Sequence, residues 1–342
     1  MHFPFFILLQ QKRLETFISL NAPGPLDGTR MDLVAPAHDA LDLDSKTAIE
    51  PSHITVIFNP TAGRRRHKRL RATLHALAEL GLDCTVIETR GPGEAERIAR
   101  YAAPVDRSIL VVAGGDGTIN EAVNGLLSAA GPLPPLAIIP LGTANVLAHE
   151  IGLAVDPMTV ARTIAVARRL RVRPGRINGR HFLMMVGAGF DGAVVATVDP
   201  AWKRRVGRLA YATRTMVESW TYPFPMMEGT IDGKKFAARW IVVCRGRHYG
   251  GPFVAAPDAH LANPILTVCL LQRGGSWNVL RYGAALLTGR MGMLSDVTIE
   301  TGNVVTIEAS DLSPVQGDGD IIARLPVLID MAEREIDLIV PG

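Results

Sequence analysis

Three acids, Asp116, Asp318 and Asp320, stand in glycine-rich turns, and that setting limits the chemistry open to them. The first lies in VVAGGDGTINEAVNG (111–125), among Gly114, Gly115 and Gly117; the other two lie in QGDGD (316–320). Glycine lets phosphate oxygens approach the backbone, and a helix N-terminus adds free N–H groups and the positive end of its dipole. A carboxylate among such amides repels phosphate unless a cation or a proton donor stands between them. Asp116 therefore reads as a partner of Mg²⁺ or of a hydroxyl that must lose its proton. The competing role is that of a turn former bonded to its own backbone. The Rossmann G-x-G-x-x-G and the P-loop G-x-x-x-x-G-K-[ST] are both absent here.

The elements that must carry these turns are legible from periodicity. ITVIFNP (54–60) is a buried-strand run, and Leu70, Leu74, Leu77 and Leu80 then recur at helical spacing before Gly81. DCTVIET, SILVVAGG and LAIIPLG are further strands, separated by the helices EAERIARYAA and TINEAVNGLLSAA. Aliphatic strands alternating with amphipathic helices predict an α/β domain with a parallel sheet over 52–170. After about Arg168 the chain turns to short strands with hairpin turns, Asn178-Gly179 and Asp232-Gly233 being the clearest. This predicts a β-rich domain over 171–324, with 325–342 available to complete the first domain. Only 200–219 reads as helical within that half. The cleft between the domains is the expected ligand site.

With 342 residues, 48% apolar and 20% charged, the chain has ample core for two domains. Its net charge is +3, but residues 1–51 carry −3, which leaves +6 on the rest. A mildly basic body suits an anionic partner such as nucleotide phosphate or a membrane surface. No nucleic-acid-binding signature appears, so nucleic acid is set aside. Cys84, Cys244 and Cys269 are at neither metal nor redox spacing, as small core residues in a reducing compartment would be. PFFILL near the N-terminus is too short to span a bilayer. Residues 1–51 lack periodicity and are expected to form a loosely ordered extension.

GGDGTINEAVNG, with NPTAG (59–63), PLGTAN (140–145), GAGFDG (187–192) and QGDGD, resembles the diacylglycerol-kinase and sphingosine-kinase family of lipid kinases. The resemblance spans roughly 54–323. It implies a three-layer α/β/α domain like that of NAD kinases, followed by an antiparallel β-sandwich. It also implies ATP and Mg²⁺ in the cleft and transfer of the γ-phosphoryl group to a lipid hydroxyl. By the same resemblance Asn59, Thr89, Gly114, Gly115, Asp116, Gly117, Thr118, Asn120, Gly142 and Thr143 contact the nucleotide, and Asp116 serves the metal. Asp191 in GAGFDG falls where the acceptor's polar head is held, and Asp318 or Asp320 takes the proton. Asp320 departs from the usual Glu, Val146 from a common Asp, and Asn263-Pro264 from the Asp-Gly of a structural metal site in bacterial members.

The implied partner is a lipid such as diacylglycerol or a sphingoid lipid, reached from the cytoplasm at the inner face of the membrane. Pairing between copies through edge strands is left open. A NAD kinase, which shares GGDGT, and a non-catalytic nucleotide or lipid sensor are the alternatives. Other features take plainer readings. Glu121 is a first-turn helix acid. The run Arg64, Arg65, Arg66, Lys68, Arg69, Arg71 is divided between a solvated face and an anion contact. Trp202-Lys203-Arg204-Arg205 reads as an ordinary amphipathic face before a membrane contact. His149-Glu150 lacks the second His of a zinc motif, and His248 reads as a satisfied loop histidine.

Overall fold

Aliphatic runs closed by Gly, Pro or Asn give the first half its strands, and they assemble into one six-stranded sheet. The computed structural model describes residues 53–62, 66–102, 108–197, 215, 217–309 and 312–342. The strands are β1 (His53–Phe58), β2 (Cys84–Glu88), β3 (Ser108–Gly114), β4 (Leu136–Pro140) and β5 (Arg169–Val172). Their order is β2-β1-β3-β4, then the late strand Ile336–Ile339, then β5. All neighbours run parallel except β5, which is antiparallel to the late strand. The expected parallel sheet is present and carries one antiparallel strand at its edge. RLRV alternates charged and apolar residues, so β5 is a half-solvated edge, the pattern of antiparallel pairing. Arg169 and Arg171 reach Asp337 on its neighbour.

Five helices cover this sheet: α1 (Arg66–Glu79), α2 (Glu94–Ala102), α3 (Asp116–Ser128), α4 (Val146–Glu150) and α5 (Pro157–Val166). Val56, Leu110, Val112, Leu126 and Ile138 are buried between the layers. α3 begins at Asp116, two residues before the expected Thr118.

The second half is a sandwich, built from β6 (Gly175–Ile177), β7 (Arg180–Phe182), β8 (Met185–Gly189), β9 (Met227–Ile231), β10 (Lys234–Ala238), β11 (Trp240–Cys244), β12 (His248–Tyr249), β13 (Phe253–Val254), β14 (Leu266–Leu271), β15 (Val297–Gly302), β16 (Val305–Glu308), β17 (Pro314–Gly317), β18 (Asp320–Arg324) and β19 (Val327–Met331). The late strand of the first sheet is β20 (Ile336–Ile339). One sheet runs β10-β9-β16-β19-β6-β7, the other β15-β14-β11-β8-β17-β18, and β12 pairs β13 apart from both. Val186, Ile241 and Val268 of one sheet meet Val305, Ile307 and Ile329 of the other in a closed core. Asn178-Gly179 and Asp232-Gly233 both have positive φ at both residues, as two-residue hairpin turns require.

Two helices of this half were not expected from the sequence: α6 (Phe190–Thr197) and α7 (Ser276–Thr288). α6, eight residues, is short and rich in apolar residues, so its composition does not separate helix from buried strand; α7, 13 residues, is of helical length and buries Val279, Tyr282 and Ala285 on one face. The extension 1–51, Gly63 of NPTAG, Arg64 and Arg65 of the basic run, Trp202–Arg205 and most of 200–219 lie outside the described residues; 217–221 is helical. Ile49–Gly342 makes one compact unit. Among the described residues no helix is long and apolar enough to cross a membrane.

Candidate active site

The carboxyl ends of β1 to β4 gather the predicted nucleotide residues along one edge. Asn59 follows β1, Thr89 follows β2, Gly114 ends β3, and Gly142 and Thr143 follow β4. Leu141 N donates to Gly114 O at 2.9 Å, which draws the loops after β3 and β4 together. A Cβ on Gly142 would stand 2.6 Å from Gly115 Cα, so these two glycines meet backbone to backbone. Gly114 lies directly over Thr118, whose Cβ would be 2.7 Å from an added side chain. The first-turn N–H groups of α3 have no intrahelical partner, and they stand on this edge with the positive dipole end.

Asn59 and Thr118 hold the edge together. Asn59 Nδ2 donates to Thr118 Oγ1 at 2.8 Å, and Asn59 Oδ1 accepts from Thr61 N at 2.9 Å. Thr89 N donates to Phe58 O at 2.8 Å, and its side chain is buried. Thr143 is exposed at the mouth. Asn120, expected at the nucleotide, is hydrogen-bonded to protein on the sandwich side. Its amide donates to His181 O at 3.0 Å and to Asp318 Oδ2 at 2.9 Å, and its Oδ1 accepts from Asn124 Nδ2 at 3.1 Å. Asn124 in turn accepts from His181 N at 2.9 Å. The two asparagines, one helical turn apart, clamp α3 to β7 of the sandwich, so their hydrogen-bonding capacity is used on protein.

The three acids separate by environment. Asp116 is the first residue of α3; its Oδ1 accepts a long bond from Leu147 N, 3.4 Å, and the backbone N–H groups of Val146 and of Asp116 itself also favour its charge. Burial pushes its carboxyl up to about 6, and the charge of Asp318 adds to the rise. Asp318 has φ 49 and Gly319 φ 91, so QGDGD is the hairpin turn between β17 and β18. Its carboxylate accepts from Leu183 N at 2.7 Å, Met184 N at 2.9 Å, Met185 N at 3.0 Å and Asn120. Burial raises this carboxyl while those four donors oppose the rise. Asp320, first residue of β18, is exposed, and a Cβ on Gly117 would lie 2.8 Å from its Oδ2. Of the late pair, Asp318 is thus committed to backbone and Asp320 faces the α3 turn.

Asp191 opens α6 and is buried, 4% exposed. Tyr249 donates its hydroxyl to Asp191 Oδ1, while Asp191 Oδ2 and Trp240 Nε1 are each buried without a hydrogen-bond partner. Trp240 and Gln316 are still close enough to favour its charge, but burial dominates and pushes the carboxyl up to about 6. An aromatic cluster adjoins it. Phe190 stacks on Phe224 at 5.0 Å and meets Trp240 edge-on at 5.0 Å; Tyr222 packs on Phe224 at 5.1 Å and Tyr282 on Trp240 at 6.0 Å.

Strand β12 ties the two ends of the site together. Glu150 of α4 accepts from His248 N at 3.0 Å and contacts His248 Nδ1 at 2.7 Å, and the next residue is the Tyr249 that reaches Asp191. Glu121 accepts from Ala95 N at 3.2 Å and so caps α2. The loop holding Asn263 centres on Arg245, a buried guanidinium that donates to the carbonyls of Arg173 at 3.0 Å, Leu261 at 3.0 Å, Asn263 at 2.7 Å and Ile265 at 2.5 Å. Asn124, His181, Tyr249 and Arg245 were not singled out from the sequence. Only Asn124, four residues after Asn120, carried a local signal.

Family profiles match this arrangement on both halves: Diacylglycerol kinase catalytic domain over residues 53–177, and YegS C-terminal NAD kinase beta sandwich-like domain over 184–340. The chain belongs to the diacylglycerol-kinase family. With the catalytic domain goes the enzyme class, lipid kinase. A protein named Diacylglycerol kinase from Bacillus subtilis (strain 168) is 29% identical over 295 residues, 84% of this chain and 95% of the relative. One of the same name from Staphylococcus carnosus (strain TM300) is 27% identical over 297 residues, covering 84% and 94%. The crystal structure of a putative diacylglycerol kinase from Bacillus anthracis str. Sterne shares the fold, with a TM-score of 0.73 and 23% identity over 87% of this chain and 98% of that one.

Proposed function

We propose that this lipid kinase transfers the γ-phosphoryl group of ATP to the free hydroxyl of diacylglycerol, working at the cytoplasmic face of the membrane where ATP and lipid are both at hand. The observation that carries the reading is the meeting of Asp320 with Gly117 at the N-terminus of α3. It puts an exposed carboxylate from the sandwich beside the turn best suited to phosphate.

The residues present fit the nucleotide and its cation. At Gly114 and Gly142 an added Cβ would collide with neighbouring protein atoms, and at Gly115 it would stand a tight 3.2 Å from Gly142 Cα, so the close backbone approach depends on glycine. The backbone contacts of Asp116 are with Leu147 N, a long bond of 3.4 Å, and with Val146 and its own N–H, and Mg²⁺ typically uses one or two carboxylates together with water and substrate phosphates. Bound there, magnesium ATP supplies the phosphoryl group and neutralises its charge. The chain's own residues do the rest. The α3 amides orient phosphate oxygens, Asp116 faces the cation, and Asp320 accepts the proton from the acceptor hydroxyl. Asp318 fixes the 183–185 backbone so that the Asp320 carboxylate is held in place. Asp191, with one oxygen unpartnered beside an aromatic cluster, is the residue for the polar head of the acceptor.

The test is transfer of label from γ-labelled ATP into organic-phase product across a panel of diacylglycerols, sphingoid bases and ceramides, with Mg²⁺ titrated. Diacylglycerol is expected to be labelled, and Asp116→Asn and Asp320→Asn are expected to abolish labelling. No product from any lipid, with NADP formed instead from NAD, would overturn the reading.

A further inference from the structure

We propose that the face built by α7 and the helical turn 217–221 is a docking surface for an anionic phospholipid membrane. The inference rests on the lipid-kinase reading and adds where the molecule meets the bilayer that holds its substrate.

The first observation is a pair of exposed tryptophans. Trp220 and Trp277 are 78% and 76% exposed. Ser276 Oγ donates to Ser219 O at 2.9 Å, so the residues preceding them are in direct contact and the two indoles project from adjoining backbone. Along α7, Leu280, Ala284 and Leu287 follow Trp277 at i+3, i+7 and i+10, one stripe of the helix. Trp277, Leu280, Leu287, and nearby Val217 and Met293, are all exposed, while Val279, Tyr282 and Ala285 on the other face are buried. A helix apolar on both faces is not an ordinary surface helix. Indoles with one apolar and one polar edge suit a membrane interface.

Charge decides the occupant. From Ile265 to Ser295 the chain carries Arg273, Arg281 and Arg290 and no acid. Asp296, next in sequence, is buried, and its one carboxylate is met by Arg281, the Tyr282 hydroxyl and, at 3.8 Å, Arg273, so the three arginines still leave an excess of positive charge. Glu218 is the one acid of the 217–221 turn. Arg273 and Arg290 are exposed, and anionic headgroups attract such side chains. A second copy of this chain would bring the same arginines against themselves across a two-fold axis, which opposes a homodimer through this face.

The surface is continuous with the acceptor side of the site. Two residues after Trp220, the Tyr222 ring packs on Phe190 and Phe224. Tyr282, from the buried face of α7, packs on Trp240. One helix thus presents Trp277 outward and lines the aromatic cluster beside Asp191 inward.

The test compares the full chain with a Trp220→Ser/Trp277→Ser variant and an Arg273→Gln/Arg290→Gln variant by co-sedimentation with vesicles. Phosphatidylglycerol mixed with phosphatidylcholine is used against phosphatidylcholine alone. The wild type is expected to bind the mixed vesicles with a blue shift of tryptophan emission, and to bind neutral vesicles weakly. The tryptophan variant is expected to lose about tenfold or more in bound fraction, and the arginine variant to lose its preference for the anionic lipid. Both are expected to phosphorylate short-chain diacylglycerol dispersed as monomers at the wild-type rate, while slowing on vesicle-embedded substrate. Unchanged vesicle binding by both variants overturns the proposal. So does a wild-type dimer that becomes monomeric in the tryptophan variant without loss of vesicle binding. Failure of the kinase reading looks different: no phosphorylation of either substrate by any form, with the vesicle-binding differences intact.

Discussion

Asp320 and Gly117 come from opposite halves of the chain and touch, the carboxylate of one resting where the other lacks a Cβ, 2.8 Å from that position. The contact joins the hairpin after β17 to the first turn of α3. Asp320→Asn is expected to lower kcat by about 10²–10⁴ with no change in urea unfolding, because the side chain is exposed. Gly117→Ala is expected to cost about 10–100-fold by displacing that carboxylate. Steady-state labelling of diacylglycerol beside circular dichroism checks both. Wild-type kcat in either variant would count against Asp320 as the proton acceptor.

Asp318 is expected to behave in the opposite way. Its four donors make it a buried anchor, and removal leaves three backbone N–H groups without partners. Asp318→Ala should lower unfolding stability by about 3–5 kcal/mol, measured as a shift of the urea midpoint at constant m-value. A variant as stable as the wild type would show that the 183–185 backbone does not depend on it.

The pH dependence has a defined sign. Asp116 and Asp191 are both pushed up to about 6 by burial, so between roughly pH 4 and 6 the folded state holds protons that the unfolded state has released. Stability is therefore fullest below pH 4 for these groups and falls as pH rises through 6. Asp191→Asn should flatten that decline, worth on the order of 1–3 kcal/mol at pH 7, in melts taken from pH 4 to 8. Activity runs the other way. In the proposed role Asp116 would serve a cation only when charged, so kcat/KM of the enzyme is expected to drop below about pH 6, a limb absent from any residual activity of Asp116→Asn.

Arg245 fills its carbonyl cage with a covalently held cation. Burial and the charge of Arg173 push the guanidinium down to about 10, which leaves it charged at neutral pH. Arg245→Met should destabilise the fold by about 3 kcal/mol or more, because four carbonyls, that of Leu261 in a fully buried bond, lose their donor. Chelation of divalent cations should leave the wild-type Tm unmoved while abolishing activity. A drop in Tm on chelation would mean that a bound metal also holds the fold.

Much of this was legible in the sequence because local rules and the fold agree. The aliphatic runs ending in NP, GG and PLG are strands whose ends carry the nucleotide edge, and the Asn-Gly and Asp-Gly pairs are hairpin turns. The same vocabulary extends to Asp318-Gly319, a hairpin turn in which Asp318 is held by backbone donors and the second acid, Asp320, is exposed. Nothing local tells which acid is saturated, since Leu183, Met184 and Met185 supply the donors from far along the chain. Asn120 shows the same limit: its neighbours in sequence suggested nucleotide, and its neighbours in space are His181 and Asp318. α6 is not legible because a short apolar segment of eight residues fits either period, whereas the 13 residues of α7 do carry a helical spacing in Val279, Tyr282 and Ala285.

Strand β20 lies between β4 and β5, and without it β5 would have no partner on the first sheet. The nucleotide half is thus interrupted by the whole sandwich and resumes only at residues 336–339. On the ribosome, that half must wait with an open seam until nearly all of the sandwich has been synthesised. A chain halted before Ile336 would carry every glycine turn of the site and still leave β4 an unprotected edge, prone to pair with a neighbouring molecule.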